Sequence, residues 1–238
     1  MSTPTPFLDG VLLLAGSYPA GFGHTLFSLG WTNPTSARRA FLSFQVLPYL
    51  LIASGMAVVR PDLISFVTPG ILGLVAAVAV APLLLAVEYL LTLMGNQPGE
   101  HTETQREEGA RSALSSFLRS LSSARPVLPE LWQERLSWVE HGLLTLIVIG
   151  EEIVYRGIWL GVLRAAGLPA PIALLGSALA YGINHIALGR QVLVAKTVSG
   201  CAYGALYLAA GETLWVPCLL HGTQNFLLLF ALGRNRRE

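Results

Sequence analysis

The sequence predicts an all-α fold, a polytopic transmembrane helical bundle of about six to eight helices, and three observations predict it. Hydrophobic residues make up 53% of the 238-residue chain and charged residues only 12%, about half of the roughly 25% usual in soluble domains. Mean hydropathy is +0.58. The few charges are clustered, and the stretches between them approach the ~20 apolar residues that cross a bilayer. The same composition excludes a disordered chain, which lacks this apolar content. Two cysteines exclude a disulfide-built secreted scaffold. A net charge of +1 leaves no basic footprint for nucleic acid, so the lipid bilayer is the expected partner.

The elements follow in order. Gly10 to Asn33 is apolar but rich in Gly and Pro. It either spans the membrane or lies in the interface, and no Lys or Arg precedes it as a signal peptide would require. Ala40 to Val59 and Leu63 to Val87 carry no charge and each predicts a spanning helix, with Arg60-Pro61-Asp62 as a polar turn between them. From Asn96 to His141 the chain is hydrophilic. Four apolar stretches follow, at 142–163, 170–188, 193–210 and 214–232. They are broken at Gly167-Leu168-Pro169, Gly189-Arg190 and Gly211-Glu212, which are helix stops. The organisation is therefore N-terminal membrane helices (1–95), a polar cytoplasmic or interfacial segment (96–141), a four-helix membrane core (142–232) and a basic tail (233–238).

Alternation assigns the loops to two sides. On the side of the 96–141 segment, here side A, fall Arg38, Arg39, Arg190, Lys196 and the tail arginines Arg234, Arg236 and Arg237. On the opposite side B fall Arg60, Arg164 and Glu212. Positive charge in short loops marks the cytoplasmic side, so side A is expected to be cytoplasmic and the protein to sit in the cell (inner) membrane.

One apolar stretch breaks the pattern. Glu151-Glu152-Ile-Val-Tyr155-Arg156-Gly157 lies inside the 142–163 span. Each intramembrane charge costs roughly 2.5–3.5 kcal/mol on insertion scales, so three unpaired ones would cost on the order of 8–10 kcal/mol. They must be paired, face a hydrated cavity, or both. Glu152 and Arg156 are i and i+4 with the Glu N-terminal, the favourable order for a pair. Glu151 points about 100° away and is left to face something else. Two further i,i+4 pairs occur: Tyr181 with His185, and His221 with Asn225. Counted from the predicted helix ends, Glu151 lies roughly 13 Å and His221 roughly 17 Å from side A. All can open to one cavity in the cytoplasmic half.

In a confined pocket these groups suit water activation. A desolvated carboxylate acts as general base, and His221 with Asn225 supplies donors for the oxyanion of a tetrahedral intermediate. One Glu and two His also match a catalytic zinc site with an open position, although His-Glu-x-x-His is absent. Cys201 and Cys218 read as small apolar helix residues, with nothing to mark a reactive thiolate. Gly157/Gly161 and Gly200/Gly204 predict close helix packing.

Glu151-Glu152-x-x-x-Arg156, aromatic-x-x-x-His at 181–185 and His-x-x-x-Asn at 221–225 resemble the three motifs of the CPBP family. That family holds the CAAX prenyl endopeptidases and bacterial Abi proteins. Arg156-Gly157, Leu160, Leu206-Tyr207, Thr213-Leu214-Trp215 and Pro217 agree with it, and the resemblance covers roughly 142–230. It implies a membrane-embedded helical bundle that hydrolyses peptides near a C-terminus, acting on a membrane-anchored protein or peptide. By the resemblance Glu151 activates water, His185 helps hold that water, His221 and Asn225 form the oxyanion site, and Glu152 and Arg156 orient Glu151. The usual Phe of the second motif is Tyr181 here, whose hydroxyl could bond water or His185. No cofactor is expected on the glutamate reading, with zinc as the alternative. Two other readings stay open: a non-catalytic immunity or scaffold protein of the same fold, and a transporter or proton relay, against which no internal repeat is visible.

Overall fold

The computed structural model describes residues 6–28, 34–95 and 136–234. The described elements are helical. They are α1 (Pro6–Ala15), α2 (Pro19–Ser28), α3 (Pro34–Val59), α4 (Ile71–Gly95), α5 (Trp138–Glu152), a π-helical segment (Ile153–Leu160), α6 (Gly161–Ala165), α7 (Ala170–Asn184), α8 (Arg190–Ala209) and α9 (Trp215–Arg234), with short 3₁₀ turns at Pro61–Leu63 and Ile186–Leu188. Each of the six predicted apolar stretches is present as helix. Most of the 96–141 segment, together with Arg236 and Arg237, lies outside the described residues. Arg38–Val59, Ile71–Leu91 and Arg190–Ala209 are long and apolar enough to cross a membrane. Their outward faces carry Leu50, Leu51, Val58, Leu72, Val75, Leu83 and Val194 exposed, as side chains solvated by lipid would be.

Several boundaries differ from the sequence expectation. The second long helix begins at Ile71 rather than Leu63, because residues 64–70 form an extended strap over the start of α9. The Ser65 carbonyl accepts from Leu214 N at 2.7 Å, Val67 O from Thr213 Oγ1 at 2.6 Å and Phe66 O from Trp215 Nε1 at 2.9 Å. The helix carrying the charge cluster begins at Trp138, not 142. A capping box decides this: Glu140 N donates to Ser137 Oγ, and the Ser137 backbone N–H returns a bond to the Glu140 carboxylate, satisfying two orphan donors together. Glu151 is thus thirteen residues on from Trp138, about 20 Å along the axis and deeper than the sequence estimate. Two of the predicted glycine stops hold: Gly167 and Gly211 have positive φ, the left-handed conformation that ends helices where no Cβ obstructs. Gly189, also at positive φ, ends the 3₁₀ turn after α7 rather than α7 itself.

The N-terminal stretch crosses the bundle as a broken helix. Asp9 of α1 is paired with Arg60 at 2.7 Å on side B, whereas Gly23 of α2 lies against Phe44 O and Gln45 of α3, nearer side A. Pro48 has no N–H to give the Phe44 carbonyl, and Gly23 permits close approach to that carbonyl.

The side assignment read from the loops is consistent with the contacts. Arg164 pairs with Glu212 on side B. On side A Arg38 grips Glu140 with two bonds of 2.7 and 3.0 Å. Burial would push the Glu140 carboxyl up, but the bonds from Arg38 and Ser137 outweigh it and hold it at about 2, against an ordinary 4.5. The lowered value means this pair's stabilisation is complete above about pH 4.5 and is lost as pH falls from there towards 2. The melting temperature of detergent-solubilised protein is therefore expected to exceed that of an Arg38→Met variant at pH 7, with the gap narrowed to less than about half at pH 3 and closing only towards about pH 2. An equal gap at both pH values would refute it.

The helix from α5 into the π segment lies at the centre. Every residue from Gly150 to Ile158 is buried, surrounded by α3, α7, α8 and α1 rather than by lipid. The sequence reading expected an ordinary α-helix here. Its i,i+4 pairing survives, but the following eight residues are π-helical, a geometry often found at functional sites. Ser177 Oγ donates to the Tyr155 carbonyl of this segment at 2.5 Å. The glycine pairs pack as predicted: a Cβ on Gly204 would strike Leu174, and one on Gly157 would strike Met56.

Candidate active site

Glu151 and Glu152 leave the last turn of α5 on different faces, and each gathers its own partners. The Glu152–Arg156 pair forms, with Oε2 to Nε at 3.1 Å and both side chains fully buried. Arg156 Nη2 donates to the Gly200 carbonyl of α8 at 3.1 Å, and its guanidinium lies 5.0 Å from the ring centroids of both Tyr181 and Tyr203. A buried cation is tolerated here because a carboxylate, a carbonyl and two aromatic faces replace its water.

His221 of α9 is bound on the other side of Glu152. Its Nδ1 lies 2.9 Å from Glu152 Oε1, and its ring stacks on Tyr203 at 5.0 Å. Its Nε2 therefore points at Glu151 Oε2, 3.7 Å away. His185 caps the C-terminus of α7. Its Nδ1–H donates to the Tyr181 carbonyl at 3.0 Å, one of the carbonyls a helix end leaves without an intrahelical partner. That fixes the neutral tautomer and turns Nε2 towards Glu151 Oε1, also at 3.7 Å. The helix was expected to continue to 188; it stops at Asn184, so its end rather than its flank faces the carboxylate.

Five of the six predicted site residues thus converge: Glu151, Glu152, Arg156, His185 and His221. Asn225 stands apart. It lines a cavity of about 620 Å³ between α5 and α9, with Leu144, Thr145, Val148, Cys218 and Gly222. That cavity ends about one turn short of Glu152 on α5, and on α9 its lining flanks His221, with Cys218 and Leu219 before it and Gly222 and Asn225 after it. Cys218 is one of its apolar wall residues. The Tyr181 hydroxyl does not bond His185; it lies 3.4 Å from His221 Nε2. What Tyr181 chiefly supplies is its ring under Arg156 and its carbonyl to His185, and Phe would keep both. Tyr181→Phe is expected to lower the melting temperature by less than about 4 °C, since a long hydrogen bond is worth at most about one kcal/mol net. A fall of about 10 °C or more would contradict this.

The sequence reading missed several groups. Tyr49 of α3 donates to Glu151 Oε1 at 3.0 Å, and Asn184 Nδ2 donates to the Tyr49 hydroxyl at 2.8 Å. Glu88 of α4 and Lys196 of α8 form a second intramembrane ion pair at 3.0 Å, joined by Ser199 at 2.5 Å. Lys196 was placed among the loop charges; it sits inside α8, and Glu88, one residue beyond the predicted span, sits inside α4. A carboxylate and an ammonium each a turn or more inside two apolar helices were the available signal for a pair.

Residues 135–227 match the family model described as type II CAAX prenyl endopeptidase Rce1-like. This segment belongs to the CAAX protease family. No curated protein and no solved structure matches the chain. The CAAX protease segment runs from just before α5 to within α9 and contains all six predicted site residues. The protein is accordingly an integral membrane protein with a protease-family core. Tyr49, Glu88 and the whole of α1–α4 fall outside the matched residues.

Proposed function

We propose that this protein is an intramembrane endopeptidase that cleaves a membrane-anchored protein or peptide near its C-terminus, using water activated by Glu151. The observation that carries the reading is the convergence of two imidazole Nε2 atoms on one buried carboxylate, each 3.7 Å away with its Nδ1 already bound. That separation exceeds a direct hydrogen bond and suits a water shared between the groups.

A water held at the Glu151 carboxylate gives one proton to it as the water oxygen attacks the scissile carbonyl. The carbonyl becomes an oxyanion, and the peptide C–N bond breaks as Glu151 returns the proton to the leaving nitrogen. His221, anchored at Nδ1 by Glu152, presents Nε2 to the oxyanion. Asn225, one turn along α9 and lining the cavity, is the second donor. The apolar cavity between α5 and α9 is where an anchored chain would lie. His185 is the most exposed of the converging side chains, at 14%, and it stands at the side-A end of α7. Access is therefore from side A, which the loop charges make cytoplasmic.

A zinc version would draw on Glu151, His185 and His221. Among the described residues no three such side chains are arranged to hold one ion. The test is a reconstituted protein incubated with a bilayer-tethered peptide, with release followed by mass spectrometry, for wild type and Glu151→Gln, each with and without a zinc chelator. Chelator-resistant release by wild type alone is expected. Equal release by both proteins would overturn the role of Glu151, and abolition by chelator would favour zinc.

A further inference from the structure

A chain of hydrogen bonds from outside the protease-family segment fixes one oxygen of Glu151, and its polarity can be read without ambiguity. The Ala20 backbone N–H of α2 can only donate, and it lies 2.9 Å from one terminal atom of the Asn184 amide. That atom must be Oδ1, so the other is the donor Nδ2. Nδ2 lies 2.8 Å from the Tyr49 hydroxyl oxygen and gives it a proton. The hydroxyl, with one oxygen site so occupied, turns its own proton to Glu151 Oε1 at 3.0 Å. A proton on Oε1 would meet the Tyr49 O–H head-on, so Oε1 is held as a bare acceptor. Nδ2 has a second hydrogen, and Glu151 Oε1 lies 3.5 Å from it. Tyr49 and Asn184 are almost fully buried, so water does not compete for these bonds.

We propose that Tyr49 and Asn184 are positioning residues for the reaction, locked by Ala20, and that they make Oε2 the oxygen that takes the proton of the attacking water. This rests on Glu151 being the base. With Oε1 tied to α3 and α7, the carboxylate cannot rotate, and Oε2 stays aimed at the His221 side of the site. The chain also gives the N-terminal helices a part in the chemistry. α2 and α3 lie outside the segment that matches the family, yet without them the carboxylate has no fixed orientation. The backbone of α5 is fitted to the same arrangement: a Cβ on Gly150 would come within 2.5 Å of Tyr49 Cβ and 2.9 Å of its ring, so Gly150 allows Tyr49 to lie against the turn that carries Glu151.

The test uses the full-length protein. Tyr49→Phe keeps the ring and removes only the hydroxyl. Losing a hydrogen bond to a charged group should lower kcat roughly 10- to 100-fold with KM within about twofold. Asn184→Ala should act in the same direction. The double variant should be less than about threefold worse than Tyr49→Phe, because both act through one bond. A second arm does not need activity. In infrared difference spectra of wild type minus Glu151→Gln, the band of Glu151 should be that of an ionised carboxylate, and Tyr49→Phe should shift it. Wild-type kcat in a folded Tyr49→Phe protein, fully additive losses, a protonated-carboxyl band in wild type or an unmoved band would each overturn the proposal. If wild type cleaves no peptide, the protease reading fails by itself and the infrared arm decides whether Tyr49 fixes Glu151. If Tyr49→Phe does not fold, Asn184→Ala is read in both arms instead.

Discussion

Glu151→Gln is expected to lower kcat by about 10³-fold or more, within the 10²–10⁴ range of a lost general base, while melting within a few degrees of wild type. The separation of the two effects comes from how the charges are partitioned. Arg156 is matched to Glu152, not to Glu151. Neutralising Glu151 therefore strands no buried cation. Gln is isosteric, and its carbonyl oxygen can still accept from Tyr49, so the hydrogen-bond chain to α2 survives. What disappears is the basic Oε2. The paired measurement is peptide release and thermal unfolding on the same preparation. Activity above a tenth of wild type would remove Glu151 from the mechanism, and a collapse in melting temperature would make it a structural residue. Glu152→Gln should behave differently, since it leaves Arg156 buried with its carboxylate removed and deprives His221 Nδ1 of an ionic partner.

The parts of the site that were legible in the sequence are those encoded within one helix. In an otherwise uncharged span, Glu151, Glu152 and Arg156 stand out from composition alone, and the i,i+4 rule correctly chose which Glu pairs with Arg156. His185 and His221 were legible as polar residues in apolar helices. Tyr49, Asn184 and Ala20 were not. Tyr49 and Asn184 meet Glu151 across separations of 102 and 33 residues, and Ala20 meets Asn184 across 164; a single Tyr in an apolar helix reads as a core aromatic until its hydroxyl partner is known. The Glu88–Lys196 pair was hidden for a related reason. Glu88 falls one residue beyond its predicted span and Lys196 close to the start of the 193–210 span, where each reads as a loop charge, and only the packing of α4 against α8 brings the two together. The π segment was out of reach of periodicity, because one widened stretch in a fully buried helix leaves no polar face whose spacing could shift. The N-terminal crossing depended on Asp9 meeting Arg60, a contact between elements that short-range patterns do not describe.

Arg156→Met should have the largest effect on the fold. The guanidinium is fully buried, and it closes three elements at once: Glu152 on its own helix, the Gly200 carbonyl of α8, and the Tyr181 and Tyr203 rings of α7 and α8. Removing one partner of a buried ion pair typically costs 3–5 kcal/mol, because the remaining charge has lost its counter-ion. In a chain of this size that corresponds to a fall of roughly 10 °C or more in melting temperature. Cleavage should be lost with it, since Glu152 would then answer only to His221 and the imidazole would no longer be held where Nε2 meets Glu151. Arg156→Lys keeps the charge but not the planar fork or its stacking, so an intermediate melting temperature is expected. The informative comparison is the double variant Glu152→Gln/Arg156→Met, which removes both charges. If the single variant fails because it strands a carboxylate, the double variant should recover much of the lost stability while remaining inactive. If the double variant is no more stable than Arg156→Met, the guanidinium's bonds to Gly200 and the two rings, rather than charge balance, hold the centre of the bundle.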